Sequence, residues 1–523
     1  MSKKTFSLLF VLILIIATSL RLYKLAQIPH GMTWDEAAIG YTGFAIFNTR
    51  RDEWLHRLPI SFMSFGDYKA PLAIYLNGFF TAIFGMNLWA VRLPFTLASI
   101  TAIAGMMLLT EKISQKNKRN QRKWALVAGA IMTFSPWHIH YSRAGFESGM
   151  SLAFFIWSLY FLFLYIKAKQ KKLWSLGLAV ILAVASIYTY HSAKIVVPLV
   201  MLILVIWHGK KVFKKAWQAI FAGGLGLVLV LPMIWDSFKG QGLERLGTTI
   251  LDEFSGLELI LTIFKQFFAH LSPAFLIMGK TTTLRHGDGA WGILLPTTFI
   301  FVILGIIFGA IFTVRCFKKK KINKDIFYLF YLGMLLAVVG IIPAALGEEI
   351  PHSNRALLAL PGFILLAVFG LKSFINQIKK SEIKKSVVGT LVLVHLLFFI
   401  AYISSYFSIF AVKSASDFKD GYLEAFEYIV PYEEQVEKIL FTSDYGQPYI
   451  YALFVRQTNP IWYRGGSLIK YEFKDEINVG DLIRENTIVV ASNRDELEPG
   501  LADYLVYGSD EEIKFKIYLP RDK

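Results

Sequence analysis

One cysteine, Cys316, in 523 residues excludes an intramolecular disulfide, and its place beside a basic run gives no sign of thiol chemistry. A nucleotide-binding glycine loop is also missing, so a glycosyl or phosphoryl donor would have to be something other than a cytosolic nucleotide. Internal repeats and low-complexity tracts are absent. Charge is scarce: Asp, Glu, Lys and Arg make up 18% of the chain against 55% hydrophobic residues, and the mean hydropathy is +0.49. That balance is too apolar for a soluble protein of this size and points to a polytopic α-helical membrane protein.

Apolar runs near the ~20 residues needed to cross a bilayer recur through the first four-fifths of the sequence. They predict about eleven spans, at 6–20, 88–110, 124–141, 148–166, 173–190, 194–208, 217–235, 291–314, 326–346, 357–371 and 387–410. The N-terminus has a basic start and an apolar stretch but no small-x-small cleavage site before LRLYKL, so it reads as a retained first span. Alternate loops, including Lys112 to Lys123, Arg315 to Lys324 and Lys372 to Lys385, hold 27 of the 55 Lys and Arg residues against three acids. By the positive-inside rule that side is cytoplasmic, which places the N-terminus inside. The other side has a slight acidic excess, so the formal charge of +17 is a topological signal and does not argue for nucleic acid as a partner. Two further apolar stretches, 71–86 and 257–278, would upset this alternation if only one crossed, and both read as helices lying in the outer interface.

After residue 412 the composition becomes mixed and charged. KILFTS, NTIVVAS and FKIYLP read as strands and DGYLEAFEYIV as a helix, which predicts a membrane domain over 1–412 and a small α/β domain over 413–523 on the outer face.

The candidate chemistry lies in the outer loops. Asp35 and Glu36 stand in GMTWDEAAIGY, at the start of a loop over 21–87 that also holds RDEW (51–54) and GDYKAP (66–71). Other outer loops carry WHIHYSRAGFES (137–148), LRHGDG (284–289) and GEEIPHSNRALLALP (347–361). Each has an ordinary explanation beside the functional one. Asp35 and Glu36 suit a helix N-terminus, and Lys69 a snorkelling lysine. Arg143 and Glu147, four apart, suit a helix-surface ion pair. Arg285, His286 and Asp288 suit a solvated turn, while His352 and Arg355 suit headgroup contacts. The His-x-His of His138 and His140 lacks an identified third metal ligand. Together, a carboxylate and several cations on one surface suit a reaction that deprotonates a hydroxyl while a phosphate leaves. A transporter or flippase would instead carry ionisable groups inside its spans, where few occur. A receptor or scaffold would place its function in 413–523 alone.

The order of these motifs, from LRLYKL through P-x-G-x-x-x-DEA, RLP, SPWHIHYSRAGFE, HLSPAFL and PHSNR, resembles bacterial and archaeal relatives of the dolichyl-phosphate-mannose protein mannosyltransferases and the aminoarabinose transferases. These are type C glycosyltransferases that use polyprenyl-phosphate sugars. The resemblance covers most of 5–410, and LFVRQTNP in the last domain is also similar. It implies Asp35 as general base and Lys69, in KAP where relatives often have KPP, as a donor-phosphate contact. Arg355, Arg285 and His286 resemble further donor-phosphate contacts. Glu36, Asp67, Tyr68, Arg143, Glu147 and His352 would orient the acceptor or support the site. The implied partners are a polyprenyl-phosphate-linked sugar, membrane lipid, and a protein, lipid or glycan acceptor. The implied location is the cell membrane. Some relatives hold a divalent cation near the first-loop acids, but no compact ligand motif occurs here, so the expected activity is metal-independent or weakly metal-stimulated.

Overall fold

A computed structural model of the chain describes residues 1–114, 118–239, 249–319 and 327–520. The basic loops 112–123 and 315–324 lie partly outside the described residues, as does the start of the span expected at 326–346. Eight helical segments among the described residues are long and apolar enough to cross a membrane: Lys3–Leu22, Leu88–Ile113, Glu147–Lys167, Ala193–Phe238, Pro296–Cys316, Tyr328–Ala345, Ser353–Gln377 and Ser381–Lys413. Ala193–Phe238 breaks at Phe213–Lys215 into Ala193–Val212 and Ala216–Phe238, which overlap the spans expected at 194–208 and 217–235. The stretches 124–141 and 173–190 yield shorter helices, Lys118–Thr133 and Leu173–Ile187. The two interfacial stretches form the helices Pro71–Phe84 and Gly256–Ala269, the second followed by a short turn at Pro273–Leu276.

Two compact units result, one of Met1–Tyr23 with Phe95–Ser405, the other of Lys24–Pro94 with Tyr406–Lys523. This division differs from the expected boundary at 412/413, and the physical reason lies in the second unit's core. Met32, Ala37, Ala38 and Tyr41 from the first loop are buried in one cluster with Tyr422, Phe426, Tyr451, Phe515 and Ile517. Tyr451 donates its hydroxyl to Met32 O at 2.7 Å, and Tyr41 to Thr458 O at 2.9 Å. The loop has too little apolar surface to form a core alone and completes one with the C-terminal segment.

That segment is an α/β layer. Strands β3 (Lys438–Thr442), β4 (Tyr471–Lys474), β5 (Thr487–Ser492), β6 (Tyr504–Tyr507) and β7 (Ile513–Tyr518) form a sheet in the order β4-β3-β5-β7-β6. The pairs β3–β4 and β3–β5 are parallel, which requires crossovers, and the helix Pro448–Arg456 lies in the first of these. All six residues of β5 are buried, the mark of a strand covered on both faces. Two short strands of the first loop, β1 (Phe62–Ser64) and β2 (Asp67–Lys69), form a hairpin.

In the first unit the helices touch through small residues. A Cβ on Gly305 would lie 2.3 Å from Leu366 O, and one on Gly370 would lie 2.0 Å from Phe301 O. Pro296–Lys319 and Leu360–Gln377 therefore approach at backbone distance, the mode available where lipid gives no hydrophobic drive to association. Buried arginines tie the helix ends. Arg21 donates to Thr133 O and Met132 O at 3.3 and 3.4 Å, and Arg143 to Leu20 O, Arg21 O and Tyr23 O at 2.8, 3.1 and 2.6 Å. Guanidinium groups suit the unmatched carbonyls at helix C-termini.

Candidate functional site

Each unit carries its own set of ionisable groups. In the unit containing the first loop, Thr33 caps the helix Trp34–Thr49 through a capping box: Glu36 N donates to Thr33 Oγ1 at 3.2 Å, and Thr33 N donates to Glu36 Oε2 at 3.1 Å. The same carboxylate receives Arg92 Nε on Oε1 at 2.7 Å and Nη2 on Oε2 at 3.3 Å. Arg92 also donates to Leu25 O, Pro29 O and Gly31 O at 3.0, 2.9 and 2.8 Å. Glu36 is thus enclosed and holds the loop's entry, while its neighbour in the first helical turn, Asp35, stays 29% exposed.

Lys69 reaches Asp35 by way of the β1–β2 hairpin. Ser64 faces Asp67, so the connection is the two residues Phe65 and Gly66, both at positive φ (56° and 75°), the conformation that matches the twist of a tight hairpin. This brings Lys69 to the end of β2, where Nζ donates to Asp35 Oδ1 as a buried-side partner of the more exposed carboxylate. Asp67 Oδ1 accepts from Tyr68 N at 2.7 Å within the hairpin.

A third acidic group in this unit escaped the sequence reading, although RDEW was singled out. Asp52 accepts from Trp54 N and His56 N at 2.9 and 2.7 Å, folding the loop on itself. Glu53 is 1% exposed, and neither of its oxygens accepts a hydrogen bond of good geometry among the described residues. Burial pushes its carboxyl up to about 8, against the pull of Arg464. Arg464 donates to Glu53 O at 2.8 Å and lies 3.9 Å over the Trp54 ring. Only the long-range partner Arg464 reveals this group, and no local spacing signals it.

In the other unit, residues from three loops gather around His286 and His352. Their rings lie 4.2 Å apart between centroids. Tyr141 links them to the 137–148 loop, its hydroxyl 2.7 Å from Ser353 Oγ and 3.3 Å from His286 Nδ1. His140 Nε2 meets Arg285 O at 2.9 Å, while His138 Nδ1 meets Arg21 at 2.7 Å. The two histidines of the His-x-His motif therefore serve different partners. His352 N donates to His270 Nε2 at 3.0 Å, and the Arg355 amide donates to His352 Nδ1. Gly347 gives Arg355 its place, since a Cβ there would stand 1.8 Å from Nη1.

Burial, then the nearby His352, Arg285, His140 and Arg355, hold His286 well below the ordinary histidine range. Burial and Arg355 bring His352 down to about 3. Both imidazoles are neutral at physiological pH, the form that ligates metals or accepts hydrogen bonds. With Glu349, whose Oε2 is 3.6 Å from His352 Nε2, they form a group whose ligand atoms lie within 4.8 Å of one another. This trio could hold a divalent cation, and Glu349 was no candidate in the sequence. Asp288 sits nearby with Oδ1 held by Trp291 N and Ala290 N at 2.6 and 3.0 Å, and burial raises its carboxyl to about 6. Arg143 is occupied with helix-end carbonyls, and Glu147 begins the helix Glu147–Lys167.

Residues 68–235 match the family described as dolichyl-phosphate-mannose-protein mannosyltransferase. No curated protein matches the sequence. Among solved structures the chain is similar to ArnT from Cupriavidus metallidurans in the apo state, with a TM-score of 0.54 at 11% identity over 99% of this chain and 98% of that one. The same protein bound to undecaprenyl phosphate gives 0.53 at 11% identity over the same shares. The oligosaccharyltransferase of Archaeoglobus fulgidus, tethered with an acceptor peptide, gives 0.51 at 13% identity over 87% of this chain and 63% of that chain. At these identities the structural matches show a shared fold, a polytopic helical architecture here joined to a C-terminal sheet domain.

Proposed function

We propose that the chain transfers a sugar, mannose or another hexose, from a polyprenyl-phosphate donor to a hydroxyl of a protein, lipid or glycan on the outer face of the cell membrane. The pairing of Asp35 with Lys69 carries this reading: one charge suits the acceptor proton and the other the leaving phosphate. The family match over 68–235 and the likeness to a structure holding undecaprenyl phosphate support the donor class. The basic loops support an orientation with the N-terminus inside and the C-terminal domain outside.

In the proposed reaction the donor phosphate draws Lys69 from Asp35 and leaves the carboxylate open to the acceptor. Asp35 takes the hydroxyl proton as the oxygen attacks the anomeric carbon. The bond from that carbon to the phosphate oxygen breaks with inversion, and the electron pair leaves on polyprenyl phosphate. Lys69 offsets the growing charge. In the other unit, Arg285, Arg355 and His286 are donors of a kind that suits phosphate oxygens. This charge separation needs no metal. If a divalent cation binds, His286, Glu349 and His352 would hold it within their own unit, where it would supply positive charge.

Transfer from a short-chain polyprenyl-phosphate sugar tests the reading. Asp35→Asn keeps the side chain's shape and is expected to fold normally and lose transfer. A folded Asp35→Asn protein with near wild-type transfer would refute the assignment, and substrate flux without covalent transfer would favour a flippase.

A further inference from the structure

Most of the strongly basic residues have no part in that chemistry. In the first unit, the ends of several helices converge on an open cavity of about 790 Å³. Leu88–Ile113 contributes Lys112, Glu147–Lys167 contributes Tyr160 and Lys167, and Ala193–Val212 contributes Lys211. Arg122, Lys171 and Lys214 complete the basic wall, with Lys169 at its edge. Seven basic side chains thus face one lining acid, Glu111, which already lies 3.5 Å from Arg122.

Helix dipoles and the positive-inside rule explain part of this concentration. Lys167 donates to Ile113 O at 2.7 Å, and Lys171, 8% exposed, donates to Tyr165 O and Ile166 O at 2.7 and 2.9 Å. Cations are favoured at such C-terminal carbonyls. Neither effect accounts for convergence. Snorkelling lysines spread from a helix end toward water, whereas these share one concavity and repel each other. Burial first, then Lys211 and Lys214, push the Lys171 ammonium below the ordinary lysine range. An anion in the cavity would relieve that repulsion.

Leu88–Ile113, Glu147–Lys167 and the segment Ala193–Phe238, which form most of the wall, are long and apolar enough to span a membrane, so the cavity opens where hydrocarbon gives way to headgroups. Tyr160 and Tyr328 in the wall suit that level, and Lys167 lies 4.2 Å over the Tyr328 ring. We propose that this cavity binds a phosphate group presented by an anionic lipid headgroup. The site is independent of the proposed sugar transfer.

Thermal stability of the full chain in detergent, titrated with dihexanoyl phosphatidylglycerol, dihexanoyl phosphatidylcholine or inorganic phosphate, tests it. Phosphatidylglycerol is expected to stabilise the protein saturably and phosphatidylcholine to have little effect. Lys211 and Lys214 are exposed, so the double variant Lys211→Gln/Lys214→Gln should fold, and its apparent affinity should fall about twenty-five-fold, roughly fivefold per lysine. Lys384→Gln/Lys385→Gln, at the basic start of the helix Ser381–Ser405 and outside the cavity lining, should change nothing. Saturable binding of inorganic phosphate that displaces phosphatidylglycerol and weakens in the first variant would support the phosphate site with a free anion as its occupant. Equal effects of the two lipids, or equal weakening by the two variants, would overturn the proposal.

Discussion

Arg92 and Glu36 meet at 2.7 Å with both side chains buried, and the arginine's remaining donors are spent on the carbonyls of Leu25, Pro29 and Gly31. Fifty-six residues apart, they close the first loop into a fixed frame beside Asp35. Removing one partner strands the other in a dry site, which typically costs about 3–5 kcal/mol. Arg92→Gln and Glu36→Gln are therefore expected to lower the melting temperature steeply, and Arg92→Lys to rescue little because one ammonium cannot serve the carboxylate and three carbonyls. Thermal denaturation checks this; a variant melting like the native protein would show that the clamp is dispensable.

Lys69 is expected to act through its charge. A charge-assisted contact to phosphate is worth about 1.5–3 kcal/mol, so Lys69→Ala should lower transfer roughly ten- to a hundredfold, with partial recovery in Lys69→Arg. Lys69→Met retains the apolar stem and separates this from snorkelling. An active Lys69→Met enzyme would remove Lys69 from the donor site.

Glu53 makes a pH-dependent contribution with a definite sign. Its native carboxyl titrates near 8, above its unfolded value of 4.5. Well below pH 4.5 both states hold the proton; as pH rises through 4.5 toward 8 the unfolded chain releases it first, and stability is lost. Glu53→Gln removes this loss and should exceed the native protein in stability by on the order of 3 kcal/mol at pH 7.5, with the gap closing near pH 4. Denaturant melts at the two pH values measure it, and a gap independent of pH would reject the assignment.

Chelation is expected to leave most of the transfer activity. Rates before and after dialysis against a chelator provide the measurement. Complete loss, restored by zinc or manganese, would contradict a reaction carried by Asp35 and Lys69 without metal. His352→Ala and Glu349→Gln would then test whether the cation lies in the trio with His286.

Much of the architecture was legible because it follows from local composition. A helix that faces lipid must be apolar along its length, so Pro296–Cys316 and Ser381–Lys413 announce themselves in any window of residues. Strands β3 and β5 fall within KILFTS and NTIVVAS for a similar reason, as buried strands in a sheet are largely apolar, while β7, around FKIYLP, shows instead the alternation of apolar residues with lysines. Helices of 15 or 16 residues, such as Leu173–Ile187, do not carry enough sequence to settle whether they cross.

For the site, sequence alone determined which residue types were available and in what order: an acid pair at 35–36, a lysine before Pro71, and histidines and arginines in later loops. Tertiary structure decided their partners. It separated adjacent acids, enclosing Glu36 with Arg92 and leaving Asp35 to Lys69. It turned Arg143 to the carbonyls of Leu20, Arg21 and Tyr23, and joined Glu349 to His286 and His352. It also drew residues 24–94 into one core with the C-terminal sheet, across some three hundred residues of chain. Hydropathy and helix periodicity are properties of neighbours along the backbone, whereas an ion pair or a shared core depends on which distant segments meet, and that is settled only when the whole chain buries its apolar surface at once.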